Sequence, residues 1–478
     1  SRYFARNSQA LLLFFLQGSN FVSKCLYFQI VNFCKNTMFF VYCTVLIIAS
    51  IAQAQDRDTL VTVRRGDSLL GIAERLLPYS HHYTAAELVG EIRRANGVQG
   101  DAIYPGQRLA VTLSFGQMLD QPVARAPDFA AHGIYVKAQL AGSARILALA
   151  DRLVAAGGNT IVFDVKDRYG NLSYASQVPL ALEIGAGADA PIVRPAKLID
   201  ALHRRDIHVV ARLTCFYDDR LAQRRPDLVP LSRKGDGLWS ERGTVHWVDP
   251  SLPPVQDYLL GLVREVAALG VDEIQLDYVR FPTEGNLADA VFAFDPEVVP
   301  KDRVITDFVA AVERTLEGSG VLLSADIFGV AAWGREADRL TIGQYLPDLL
   351  PHLDVVSPML YPSHFADGFE RIDRPVDYPY YFLLRGCQRL QKLAVAHQVQ
   401  IRPWIQAFDY RVSRFDPLYV TEQMQGAADG GARGWLLWNP SSQYEVGLQA
   451  IERYQRGEAP AVPLQERFPQ PLGIDLSR

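Results

Sequence analysis

The chain has 478 residues, which is enough for roughly two to four domains of ordinary size. Its 49% hydrophobic and 21% charged residues are typical of globular proteins and exclude a mainly disordered, collagen-like or coiled-coil chain. Lys and Arg number 48 against 53 Asp and Glu, giving a net charge of −5. Binding to nucleic acid or to an anionic membrane needs clustered cations, so neither is predicted.

Residues 1–54 are predicted to be a leader and not part of the fold. The first methionine is Met38, so residues 1–37 are interpreted as translated upstream sequence. Residues 39–52 carry no charge, and AQA at residues 52–54 matches the small-x-small pattern of signal peptidase sites. The apolar stretch is shorter than the about 20 residues of a membrane span. We therefore expect a signal peptide and a secreted or periplasmic bacterial protein without a membrane span in its mature form, with an uncleaved anchor as the alternative.

Only Cys215 and Cys387 lie beyond the leader. They could pair in an oxidising compartment, or each could be a small buried apolar residue. The sequence has no CxxC motif and no Cys/His spacing typical of zinc sites, so no metal is predicted.

Residues 59–113 are predicted to form a small βααβ module. Residues 59–63 alternate as a strand, and Asp67 or Ser68 is expected to cap the helix that follows. A second helix is predicted over residues 84–95, with Asn96-Gly97 as its stop signal, and a closing strand over 110–113. The motifs VRRGDSLL, RANG and IYPGQRL occur in this order, and with them the module resembles a LysM domain.

The LysM resemblance implies binding of a glycan that contains N-acetylglucosamine, such as peptidoglycan, by the loops at 66–70 and 100–105. A module that only acts as a spacer is the alternative. The connection at residues 78–83, which contains His81 and His82, is longer than usual for the family. Residues 114–129 lack periodicity and are predicted to be a linker.

In residues 130–455, short apolar runs alternate with helical segments, which predicts βα units on a parallel sheet. The predicted strands are 133–137, 160–165, 208–214, 273–278, 321–326, 355–361, 402–407 and 434–438. Eight repeats indicate an α/β fold of the (β/α)8 TIM-barrel type. No GxGxxG or GxxxxGK[ST] motif is present, so no nucleotide cofactor is expected. Residues 456–478 are predicted to be a Pro-rich tail.

Chemistry in such barrels takes place at the carboxyl ends of the strands. Four of the predicted strands end in or beside aspartates, namely Asp164, Asp277, Asp326 and Asp409. In the fourth strand, Glu273, Gln275 and Asp277 share a face by strand parity and are expected to line the barrel. Arg280 follows shortly after and is expected to hold Asp277 ionised.

The segments DEIQLDYVRFP, FDVKDRYG, LSADIFG and SPMLYPSHF carry a second resemblance. With them, residues 130–455 resemble a glycosyl hydrolase domain family of secreted bacterial proteins, related to the α-amylase-like barrel glycosidases. The resemblance implies that Asp277, which ends strand four, is the nucleophile. It also implies that Asp326, which ends strand five, is the acid/base, although many relatives have Glu there.

Further residues near the strand ends are candidates for substrate binding, each with a structural alternative. Asp164 and Lys166 share parity and could contact a sugar hydroxyl or form a structural ion pair. Asp409 could cap a helix, and Trp438 could be a core residue instead of a platform for sugar rings. The remaining candidates are Arg212, Arg280, Tyr361 and Gln406.

These observations predict an exported, cell-wall-associated glycosidase that acts on a polysaccharide. Its mechanism would use Asp277 and Asp326, with a retaining course expected by analogy. A non-catalytic glycan-binding protein with an inactive barrel is the alternative, and a transglycosylase would differ only in the acceptor.

Overall fold

A computed structural model describes residues 55–115, 122–124, 129–235, 237–458 and 467–469. The predicted leader and parts of the predicted linker and tail lie outside the described residues. None of the described helices is long and apolar enough to cross a membrane.

The N-terminal module has the predicted βααβ order. Strand β1 (Gln55–Thr62) is followed by helices α1 (Leu69–Leu76) and α2 (Ala85–Asn96) and by strand β2 (Arg108–Phe115). The two strands pair antiparallel from Gln55 opposite Phe115 to Thr62 opposite Arg108. Both strands are longer than predicted, so β2 extends past residue 113 into the predicted linker.

The predicted stop signal of α2 has a clear physical basis. Gly97 has φ +61, a left-handed conformation in which glycine is favoured, and Val98 N–H donates to Arg93 O at 3.0 Å. The Asn96 side chain donates to Ala110 O at 2.8 Å and accepts from Ala110 N–H at 2.7 Å. This asparagine therefore fixes the end of α2 against the closing strand.

The larger unit is a closed barrel with eight parallel strand positions, each of which is called a stave below. Its strands are β3 (Ala131–Val136), β4 (Thr160–Lys166), β5 (His208–Thr214), β7 (Glu273–Asp277), β9 (Leu322–Phe328), β10 (Val355–Met359), β11 (Gln400–Ile401) with β12 (Trp404–Gln406), and β13 (Gly434–Trp438). They pair in chain order, β13 pairs with β3, and the ring is thereby closed. Strands β6 (Leu231–Ser232) and β8 (Ala290–Val291) form a small antiparallel pair outside the barrel.

Helices surround the barrel and follow every stave. They are α3 (Ala138–Ala141), α4 (Arg145–Ala155), α5 (Pro179–Glu183), α6 (Pro195–His203), α7 (Asp219–Arg224), α8 (Pro253–Ala267), α9 (Lys301–Leu316), α10 (Glu336–Ile342), α11 (Leu346–Leu349), α12 (Pro379–Ala394), α13 (Pro417–Asp429) and α14 (Glu445–Gln455). Helix α8 shows why they pack there: its buried residues include Val255, Leu259, Leu262 and Val266, at spacings of three and four.

The seventh stave is split, although the sequence predicts one strand over 402–407. Pro403 has no amide hydrogen and therefore interrupts the strand between β11 and β12. Arg402 N–H still donates to Val356 O at 2.9 Å across the break, so the stave keeps its place between its neighbours.

The parity prediction for the fourth stave, β7, is confirmed. Ile274 and Leu276 are buried in the apolar core around the barrel. Glu273 lies inside, where it accepts a hydrogen bond from Arg402 at 2.7 Å, and Gln275 donates to Ser357 at 3.1 Å. Asp277, at the end of the strand, is thereby directed into the barrel mouth.

Candidate active site

Three aspartates from three staves meet at one guanidinium at the barrel mouth. Arg212 of β5 donates from Nη1 to Asp164 Oδ1 at 2.5 Å and from Nε to Asp277 Oδ2 at 3.0 Å. Its Nε also lies 3.9 Å from Asp326 Oδ2. Burial alone would lower the pKa of Arg212, but Asp277 and Asp164 raise it well above its ordinary value. The arginine is therefore a permanent cation among the three acids.

Asp326 has the environment of a group that keeps its proton. It is 1% exposed, and its pKa is raised well above the ordinary value, first by burial and then by the charge of Asp277. Trp404 Nε1 donates to Asp326 Oδ1 at 2.6 Å, which partly offsets this increase in pKa. A carboxylic acid with a raised pKa is suited to act as a general acid.

Asp277 has the contacts of a carboxylate. One oxygen accepts hydrogen bonds from Nε and Nη2 of Arg212, and the other accepts from the amide of Tyr278 at 2.6 Å. Tyr278 has φ +48, an unfavourable conformation for a residue other than glycine and one that is concentrated at functional sites. The two acids therefore occupy different environments although both are aspartates.

Asp277 and Asp326 both line a cavity of about 300 Å³. Its wall includes the aromatic rings of Tyr278, Phe328, Tyr361, His364, Phe365, Trp404 and Trp438. Arg280 also lines this cavity, and its guanidinium lies 4.3 Å from the centre of the Phe328 ring. Apolar ring faces beside a few charged groups are the surfaces to which sugar rings can bind.

A second cavity of about 750 Å³ shares His364 and Trp438 with the first. It is lined further by Asp409, Tyr410, Asn439 and other residues of the last two βα loops. The two cavities therefore adjoin each other at His364 and Trp438. The arrangement has room for more than one sugar unit.

The structure brings together most of the predicted site residues. Asp164 lies beside the acids, Tyr361 lines the first cavity and Asp409 the second, and Trp438 lines both. Trp438 also stacks on Tyr135, with ring centres 4.2 Å apart, so it is both a packed and a cavity-lining residue.

Lys166 lies outside this set. The register between β4 and β5 shifts between Asp164 and Lys166, so the two side chains do not share a face. Lys166 Nζ instead lies 2.8 Å from Asp218 Oδ2, with both side chains fully buried. Lys166 is therefore a structural residue and not a contact for a sugar.

Arg280 lines the first cavity, as its candidacy for substrate binding requires, whereas Gln406 does not line it. Arg212, not Arg280, forms the hydrogen-bonded ion pair with Asp277, while Arg280 donates to Phe281 O at 2.8 Å. Gln406 is fully buried, accepts from Ser363 N–H at 3.1 Å and donates to Phe408 O at 3.1 Å. Its hydrogen bonds join two loops and leave it no direct access to a substrate.

Sequence reasoning missed Tyr135 and Trp404 as site residues. Tyr135 OH donates to Asp164 Oδ2 at 2.5 Å, and Trp404 donates to Asp326 as described. Both residues lie on predicted strands, at positions where the alternation of side chains along the strand directs them into the barrel. This parity is the sequence signal that indicates them.

Two family models match the chain. A LysM domain matches residues 61–112, and the family described as "Putative glycosyl hydrolase domain" matches residues 133–444, which is more than half of the chain. The chain belongs to this glycosyl hydrolase domain family. No curated protein matches the chain.

One of the solved structures that are similar to this chain has a TM-score above 0.5 and supports the barrel fold. The PgaB (BpsB) glycoside hydrolase domain from Bordetella bronchiseptica is 14% identical, with a TM-score of 0.51 over 68% of this chain and 98% of its own. A hypothetical protein from Ruminiclostridium thermocellum ATCC 27405 is 32% identical over 41% of this chain and 97% of its own, with a TM-score of 0.37. The predicted (β/α)8 barrel and the predicted LysM domain are confirmed.

Proposed function

We propose that this protein is a glycosidase that cleaves a polysaccharide with Asp277 and Asp326. The observation that supports it best is the pair of unequal acids beside Arg212 in an aromatic cavity. Glycosidic cleavage needs one carboxylic acid to protonate the leaving oxygen and one carboxylate to attack carbon or activate water. Asp326 has the raised pKa of the acid, and Asp277 has the hydrogen bonds of the carboxylate.

We propose a retaining mechanism, as in the related barrel glycosidases, and the described distances are compatible with it. Asp277 Oδ2 and Asp326 Oδ2 lie 3.0 and 3.9 Å from the same nitrogen, so they are at most about 6.9 Å apart. Retaining enzymes have carboxyl separations of about 5–5.5 Å, which fall within this limit, and inverting enzymes have separations of about 6.5–9.5 Å. In the first step Asp277 bonds to the anomeric carbon while Asp326 gives its proton to the leaving oxygen. In the second step Asp326 takes a proton from water, which attacks the carbon and releases Asp277.

The substrate we propose is a cell-wall polysaccharide that contains amino sugars. The LysM domain is of a type that binds such glycans, and two adjoining cavities of the barrel, of about 300 and 750 Å³, offer space for units of a chain. A tethered binding domain would raise the local concentration of the polymer at the barrel. With the leader predicted from the sequence, this supports a secreted or periplasmic protein that acts at the bacterial cell wall.

The test uses the purified mature protein with peptidoglycan, chitin, galactosaminoglycan and α-glucan, and products are analysed by mass. We expect hydrolysis of at least one polymer and a loss of about 10³-fold or more in Asp277→Asn, because the variant lacks the attacking carboxylate. Asp307→Asn, an equal change on the exposed face of α9, is the control and should retain activity.

Two results would contradict the proposal. One is equal activity in Asp277→Asn and the unmodified protein. The other is glycan binding without turnover of any of the four polymers, which would instead support the non-catalytic binding protein. The anomer formed first, observed by NMR, tests the retaining course separately.

A further inference from the structure

Three metal-ligating side chains converge in the N-terminal module, far along the chain from the barrel acids. His81 and His82 lie in the connection between α1 and α2, and Glu91 lies within α2. One ligand atom from each residue lies within 4.8 Å of the other two. Among the residues that the structure describes, this is the only group of three or more His, Cys, Asp or Glu with that geometry.

Both imidazoles face the same carboxylate oxygen. His82 Nε2 contacts Glu91 Oε2, and His81 Nε2 lies 3.9 Å from that oxygen. The two rings are 4.7 Å apart between centres. Zinc binds His nitrogen and carboxylate oxygen at about 2.0–2.2 Å, so two ligands of one tetrahedral ion lie about 3.4 Å apart. Small side-chain rotations would bring all three atoms to that spacing.

The donor set selects the class of ion. Two imidazoles and one carboxylate suit zinc and similar divalent transition ions, whereas calcium and magnesium prefer sites made of oxygen ligands. The three side chains are 26%, 14% and 16% exposed, so they are partly shielded while water can still reach a fourth position. We propose that His81, His82 and Glu91 bind one zinc ion that ties the connection to α2.

The site also accounts for where the chain departs from the LysM pattern. The two histidines lie within the connection at residues 78–83, which is longer than usual for the family. A bond from each histidine to a metal held by α2 would fix the end of this segment. Sequence spacing does not indicate the site, because Glu91 follows His82 by nine residues. The proposal is independent of the glycosidase function.

The experiment uses the untagged mature protein, stripped of metal with a chelator and then dialysed. Zinc is titrated by calorimetry, and Co²⁺ provides a second readout through the visible absorption of a tetrahedral site. We expect one equivalent of zinc, and at least a tenfold weaker affinity in His82→Ala and in Glu91→Gln. The matched controls His397→Ala and Glu74→Gln, both at exposed positions, should bind as the unmodified protein does.

Circular dichroism of each variant without metal shows whether the fold is retained. If His82→Ala is unfolded, Glu91→Gln decides, because it keeps nearly the same side-chain shape. Failure of the unmodified protein to bind zinc stoichiometrically would overturn the proposal. Unchanged affinity in Glu91→Gln and His82→Ala would also overturn it, since the ion would then be bound elsewhere.

Discussion

Replacing Arg212 by methionine tests the view that this one cation holds the acids of the barrel mouth together. The substitution keeps an unbranched apolar stem and removes the guanidinium of a residue that is only 6% exposed. At the 3.0 Å separation from Asp277, and with an effective dielectric constant of about 20, the Coulomb attraction of this pair is about 5.5 kcal/mol. The desolvation of the two charged groups offsets part of this attraction. Removing one partner of a buried ion pair lowers the free energy of unfolding by about 3–5 kcal/mol in measured cases.

The loss of stability in Arg212→Met should depend on pH in a defined direction. Burial raises the pKa of Asp164, and Arg212 counteracts that increase. Without the arginine the pKa of Asp164 rises further, so the folded variant binds more protons than the unfolded chain above about pH 4. Stability supplied by that bound proton is present at low pH and is lost as the pH rises. The variant should therefore be destabilised more at pH 8 than at pH 5.

Thermal unfolding at pH 5 and pH 8 measures this effect. Arg303→Met serves as the control, because Arg303 pairs with Asp307 on an exposed helix surface and should leave the Tm unchanged. A decrease in Tm for Arg212→Met that is equal at both pH values would refute the electrostatic reasoning. A decrease no larger than that of the control would refute the structural role of the arginine altogether.

Two further substitutions test neighbouring contacts. Trp404→Phe removes the indole N–H that donates to Asp326, so the pKa of Asp326 should rise. The alkaline limb of the pH profile of kcat/KM should then move to higher pH. The control Trp333→Phe should leave this limb unmoved, because Trp333 donates to Glu370 and not to Asp326. An unmoved limb in Trp404→Phe would argue against Asp326 as the acid. Lys166→Met should cost about 3–5 kcal/mol of stability by leaving Asp218 buried without its cation, with KM unchanged in the folded fraction. A changed KM would place Lys166 at the substrate after all.

The barrel could be predicted from the sequence because its strands are short, apolar and followed by helices. Strand β5 has its predicted bounds of 208–214, and β13 has its predicted bounds of 434–438. Parity also worked for β7, since the strand is regular from Glu273 to Asp277. Hydrophobic periodicity carries this information locally, and no distant contact is needed to interpret it.

Departures from regular backbone explain the errors in the predicted site. The shift in strand register after Asp164 turns the Lys166 side chain away from the acids. No local residue pattern indicates this shift. Tyr278 leaves the extended conformation with φ +48, so Arg280 is not simply three positions further along a strand. The pairing of Asp277 with Arg212 joins two staves and depends on their register, which a single strand does not reveal.

The link from Tyr135 through Asp164 to Arg212 has a consequence for a two-step reaction. In the proposed retaining mechanism, Asp277 would lose its charge on forming an ester, and a guanidinium bound by that group alone would then be free to move away. Asp164 also forms an ion pair with Arg212, and the hydroxyl of Tyr135 donates a hydrogen bond to Asp164. In that mechanism the cation would stay in position through both steps, ready for the carboxylate that hydrolysis regenerates.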